Sequence, residues 1–87
     1  MVEILILKSA LKHGILERQI REVLSDSSTK NFEIHEDLHG NPQEMLVGYT
    51  HAGLLLEVAV RYTDKFDCVF HARRASAIYK LRYWRQR

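Results

Sequence analysis

His35-Glu36-Asp37-Leu38-His39 has the H-E-x-x-H spacing with which a zinc protease sets two imidazoles on one helix face and a glutamate beside the metal-bound water. Its surroundings argue against that chemistry. Residues 32 to 36 alternate apolar and polar as a strand does, and Gly40-Asn41-Pro42 breaks the chain directly afterwards. In an extended chain, residues four apart lie roughly 13 Å from one another, too far to share one zinc. The spacing is therefore read as coincidence, and no metal site is expected. Lys12-His13-Gly14 is a second group: a cation beside an imidazole that can give or take a proton near neutral pH. The same imidazole, next to a helix-ending glycine, can instead bond the free carbonyls of that turn. His71 also sits at an element boundary beside cations, whereas His39 and His51 fall in turns and read as exposed. The lone Cys68 alternates within a strand and reads as a small core residue.

The strongest compositional signal is a division of charge. From Cys68 onward the chain carries six cations, Arg73, Arg74, Lys80, Arg82, Arg85 and Arg87, and no acid. The preceding residues hold seven Lys/Arg against all eleven Asp/Glu, so a body of net −4 and an end of net +6 lie behind a formal total of +2. Cations interleaved with Tyr79, Tyr83 and Trp84 suit a polyanion, because they neutralise phosphates while flat rings stack on bases. The same residues also fit a solvated helix face whose last turn favours positive charge, or a basic surface covered by an acidic partner.

These groups need a scaffold, and 87 residues suffice for one domain, 1-87. An apolar share of 46% with 28% charged residues suits a folded chain rather than a disordered one. The longest apolar run, Ile4 to Leu7, is far too short to span a membrane. It also lacks the basic flank and small-residue cleavage site of a signal peptide. With one cysteine, a reducing cytoplasm is the expected location. Val2 to Leu7 predicts a strand, and Ser9 is placed to cap a brief helical turn, Ala10 to His13, ended by Gly14. Leu16, Ile20, Val23 and Leu24 mark the apolar face of a helix over residues 16 to 25. The period then changes to two. Phe32 and Ile34, Met45 to Tyr49, Leu54 to Tyr62, and Phe66 to His71 read as strands joined by short turns, hence an antiparallel meander of three or four strands. A closing helix is expected from about Ala72, with Ala77, Ile78, Leu81 and Trp84 as its apolar stripe and Arg73, Lys80 and Arg87 along one side. The sum is an α+β two-layer sandwich with both helices on one face of the sheet.

In order along the chain stand Lys12-His13-Gly14-Ile15, Val23-Leu24-Ser25-Asp26, Leu46-Val47-Gly48, Gly53 to Val58, and Phe70-His71-Ala72-Arg73-Arg74-Ala75 ahead of a basic helix with Tyr83. Taken in that order, from about residue 10 to residue 83, the chain resembles the BrnT-like toxins of the RelE superfamily, small ribonucleases of bacterial toxin–antitoxin pairs. It departs from their pattern where Gln43 stands near an expected arginine and Tyr79 at an expected glutamate. The resemblance implies a RelE-like fold and RNA cleavage without metal or other cofactor, in which a ribose 2′-hydroxyl attacks the neighbouring phosphate. Such a site needs a base, an acid and cations for the charged transition state. On that reading His13 or His71 serves as base or acid, with Arg73, Arg74 and Lys12 at the phosphate. Lys80, Arg82, Trp84 and Arg85 are left for RNA binding. The partners implied are RNA and an acidic or DNA-binding antitoxin, with a homodimer compatible in so small a domain. A non-catalytic nucleic-acid- or protein-binding module of the same fold is the other reading.

Overall fold

The structure, a computed structural model, describes residues 3 to 85. Val2, the expected start of the first strand, and Arg87, expected on the closing helix, lie outside the described residues. The strands are β1 (Glu3–Ile6), β2 (Lys30–Ile34), β3 (Gln43–Tyr49), β4 (Leu55–Tyr62) and β5 (Phe66–Arg74). A 3-10 turn at Lys8–Leu11 and helix α1 (Glu17–Ser25) lie between β1 and β2, and helix α2 (Ala77–Arg85) follows β5. The sheet order is β1-β5-β4-β3-β2. Strands β2 to β5 form the expected antiparallel meander, while β1 adds to β5 in parallel, with Leu5 opposite Cys68. The fold is thus α+β on a five-stranded mixed sheet.

The helices do not share one face, which corrects the two-layer expectation. Ile20 and Val23 of α1 pack with Leu46, Leu56, Val58, Val60 and Val69 on one side. Tyr79 and Tyr83 of α2 pack with Met45, Val47, Ala59 and Phe32 on the other. The cause lies in β3 and β4, whose residues are apolar on both pleat faces; a sheet of that kind must be covered on both sides. The closing helix also differs from its expected stripe. Ile78, Leu81 and Trp84 are exposed, and Tyr83, at 8% exposure, is the buried residue. The sheet face beneath α2 already carries Phe32, Tyr49 and Phe70. Tyrosine rings join such a surface in edge contacts while their hydroxyls reach polar groups, as Tyr83 does toward the Ser28 carbonyl at 3.4 Å.

Helix α2 begins five residues later than expected, because β5 continues through Arg74. Residues 71 to 74 stay in the β4 ladder, pairing from Ala59 back to Leu56, and the Ala75 amide still donates to Leu55 at 2.9 Å. A register shift at Ala59/Val60 leaves Phe70 without a cross-strand partner. Its carbonyl accepts the Ser9 hydroxyl at 2.7 Å, so Ser9 anchors its turn to β5 instead of capping the turn itself. Gly14 has φ 81°, the left-handed stop expected of it.

One close approach fixes the α1 side. A Cβ at Gly48 would collide with the Thr29 side chain and press on its Cα, and Thr29 is itself held by a 2.6 Å hydrogen bond from its hydroxyl to the Val23 carbonyl. Gly48→Ala is expected to destabilise the protein by about 1–3 kcal/mol through overpacking, measured as a lower urea midpoint with unchanged slope.

Candidate functional site

Strand β1 ends at Ile6, so beyond Val69 the outer edge of β5 has no strand beside it among the described residues. The 3-10 turn takes that place: the Leu7 amide donates to Val69 at 2.9 Å and Ser9 to Phe70. The turn carries His13 to His71, with ring centroids 5.8 Å apart and planes at 70°. The two histidines, 58 positions apart in sequence, thus meet at one corner of the sheet. His71 stands opposite Ala59 on the face that α2 covers.

Beneath His71 lies a residue that sequence reasoning passed over. Glu57, only 5% exposed, places Oε2 at 3.0 Å from His71 Nε2 and accepts the Ser76 amide on Oε1 at 2.7 Å. Burial pushes the Glu57 carboxyl up, but the Ser76 amide and the His71 ring outweigh burial and hold it below its ordinary value of 4.5. An ionised carboxylate has no proton to give, so His71 donates Nε2–H to it, and the neutral form of the ring then carries its lone pair on Nδ1. A signal for Glu57 was present in the sequence: it is the one charged residue in the run Leu54 to Val60, and a carboxylate in such a strand must find partners.

The remaining candidates separate by position. Arg73 stands directly opposite Glu57, on the His71 face, and is exposed. Arg74, one residue on, stands opposite Leu56, a residue of the other face. It lines a cleft with Tyr49 and Lys80. Both arginines therefore belong to β5 and not to α2, so Arg73 shares no helix side with Lys80. Lys12 is exposed in the turn next to His13. Arg82 lies over the rings of Phe32 and Tyr79, at 5.7 and 5.6 Å. Trp84 is 63% exposed and touches Tyr49 and Tyr83 in T-shaped contacts. Arg85 is exposed on the last described turn.

Residues 35 to 39 form no helix, in keeping with the strand-and-turn reading. Asp37 braces this loop: one carboxylate oxygen accepts the His39 and Asn41 amides at 2.8 Å each, and the other meets Arg61 Nε at 3.2 Å. Among the described residues, no group of three or more His, Cys, Asp or Glu side chains is placed to hold a metal ion. The two departures from the toxin pattern have structural uses. Gln43 bonds the His35 carbonyl at 2.6 Å and Arg61 at 3.3 Å, and Tyr79 packs on Phe32.

Three carboxylates are held below their ordinary values: Glu22 by the His51 amide first of all, Asp37 by the Asn41 side chain, and Glu57 as above. A depressed folded value means that the stabilisation is complete above the ordinary value and is lost as pH falls through the folded one. The urea midpoint is therefore expected to hold steady from about pH 7 to 5 and to drop below about pH 4. A Glu22→Gln, Asp37→Asn variant should show a shallower acid slope, and an unchanged slope contradicts the assignment.

No protein-family model matches the chain, and no curated protein matches it. Among the described residues, no helix is long and apolar enough to cross a membrane.

Proposed function

We propose that the chain is a toxin-like endoribonuclease of RelE type, acting in the cytoplasm and neutralised by an acidic or DNA-binding antitoxin. The observation that carries this reading is the pairing of His13 with His71 at 5.8 Å, with Glu57 beneath and Arg73 alongside. Two imidazoles beside a cation supply what transesterification at phosphorus requires. One imidazole takes the proton of the ribose 2′-hydroxyl as that oxygen bonds to phosphorus. The other gives a proton to the departing 5′-oxygen as its bond to phosphorus breaks, leaving a 2′,3′-cyclic phosphate. His71, whose Nε2 faces a buried carboxylate so that its neutral form offers Nδ1, suits the base, and His13, exposed on its turn, the acid. Arg73 and Lys12 stabilise the charged phosphorane, and Arg82, Trp84 and Arg85 offer cations and a flat ring to the rest of the strand.

The test is a single-stranded RNA incubated with purified protein in excess chelator. Cleavage with cyclic-phosphate ends is expected, and His71→Ala or His13→Ala should slow it by about 10²–10⁴-fold. Intact RNA, or cleavage that survives both substitutions and Arg73→Ala, overturns the proposal. The exposed row Ile78, Leu81 and Trp84 beside cations favours one other reading, a non-catalytic binding module. That reading predicts RNA or protein binding with no cleavage and no growth arrest on expression.

A further inference from the structure

A cleft of about 480 Å³ opens between the β3–β4 turn and the start of α2, with Tyr49, Gly53, Leu55, Arg74 and Lys80 among its lining residues. That volume lies within the range of small-molecule sites, roughly 300–1,000 Å³. No acid lines it, and neither Arg74 nor Lys80 makes an ion pair among the described residues. Arg18, Arg21 and Arg61, by contrast, are each matched by a carboxylate. The ring of Tyr49 is fixed by T-shaped contacts with Tyr83 at 5.5 Å and Trp84 at 6.2 Å. At the rim, Gly53 has φ 87° and no atom within 4 Å of where a Cβ would stand, so the mouth is open. A larger cleft of about 700 Å³ elsewhere is lined by Glu33, Glu36 and Glu44, the wrong charge for a phosphate.

We infer that the Tyr49–Arg74–Lys80 cleft is a binding subsite for a nucleoside phosphate, its phosphate on Arg74 and Lys80 and its base against Tyr49. Two cations in one concave, acid-free wall select an anion. An immobilised aromatic ring next to them selects a planar group on that anion, since base–aromatic stacking adds to phosphate attraction. Arg74 lines this cleft at the end of β5, whereas Arg73 stands opposite Glu57 at the His71 corner, dividing recognition from chemistry along β5. The subsite stands on its own geometry: a mononucleotide can occupy it whether or not the His71 centre cleaves RNA.

Titration of the wild-type protein with the four nucleoside 5′-monophosphates, followed by amide shifts in a ¹⁵N–¹H spectrum, tests it directly. Saturable shifts are expected at Gly53, Leu55 and Ala75. Adenosine, lacking the phosphate, should bind at least about tenfold more weakly, and Arg74→Ala or Lys80→Ala should each weaken monophosphates about tenfold. Tyr49→Leu should weaken monophosphates while leaving inorganic phosphate unchanged. His71→Ala should leave all of these titrations as in wild type, which separates this inference from the proposed cleavage. Absence of saturation, shifts centred on Arg82 and Arg85 instead, or inorganic phosphate binding as tightly as the nucleotides (a general anion site only) would overturn it.

Discussion

Glu57→Gln is expected to silence the His71 centre while leaving the protein folded. The amide has nearly the shape of the carboxylate, and its Oε1 can still accept the Ser76 amide that Glu57 now binds at 2.7 Å. What changes is the group facing His71 Nε2 at 3.0 Å. A carboxylate there accepts, so His71 carries its proton on Nε2 and offers Nδ1. An amide NH₂ donates, so Nε2 must become the acceptor and the proton moves to Nδ1, the atom that was to act as base. In the serine-protease triad the corresponding exchange costs about 10⁴ in kcat through this same tautomer inversion. Here a fall of about 10²–10⁴ in RNA cleavage is expected, with a stability loss of only about 1–3 kcal/mol. Long-range ¹⁵N–¹H correlation should report the Nε2–H tautomer of His71 in the wild type and the Nδ1–H tautomer in the variant. Glu57→Ala is the harsher change: it strips partners from both Ser76 and His71 and should lower stability further. If Glu57 merely props the fold, Glu57→Gln will lower the urea midpoint but leave the tautomer and the pH profile of cleavage where they were.

The histidine corner could not have been read from sequence as a unit, and the reasons are local. Period-two alternation from Met45 to Tyr62 made the meander legible, since those residues leave no helical face. It did not show that β1 joins β5 in parallel and stops at Ile6, which is what frees the β5 edge for the turn bearing His13. Nor did it show the register shift that leaves Phe70 unpaired and accepting Ser9. Both are tertiary facts. Ala72-Arg73-Arg74-Ala75 carries good helix formers, so a helix start there was a fair expectation from propensity. Pairing with β4 outweighed it, and with that the two arginines fell on opposite faces. Glu57 was legible in principle, because an acid within Leu-Leu-Leu-Glu-Val-Ala-Val either lies on a solvated face or answers a buried donor. The second sheet face was legible too, from the apolar residues on both pleats of β3 and β4, and it required the second helix to cross to the other side.

The orientation of α2 carries the other large effect. Nine residues make a helix too short to persist in water by propensity alone, so its packing must hold it. Tyr83 is the buried residue of this helix. It is 8% exposed, meets the Tyr49 ring at 5.5 Å, lies under Lys30 Nζ at 4.7 Å and reaches the Ser28 carbonyl. Removing a large buried aromatic side chain typically costs about 3–5 kcal/mol, and Tyr83→Ala should fall in that range, releasing α2 from the sheet. Trp84 offers more surface yet is 63% exposed, so Trp84→Ala should cost no more than about 1 kcal/mol. The apolar stripe expected from sequence, Ala77-Ile78-Leu81-Trp84, predicts the reverse order, so one pair of urea titrations separates the two orientations. Binding should invert the ranking among variants that stay folded. A ring free to stack contributes about 1–3 kcal/mol per base, so Trp84→Ala is expected to weaken single-stranded RNA binding by roughly tenfold or more. Tyr83→Phe, which keeps the core ring and changes only the Ser28 contact, should leave RNA affinity as it was. If Trp84→Ala lowers stability as much as Tyr83→Ala and leaves RNA affinity intact, the indole is a core residue and the basic helix does not present it to a nucleic acid.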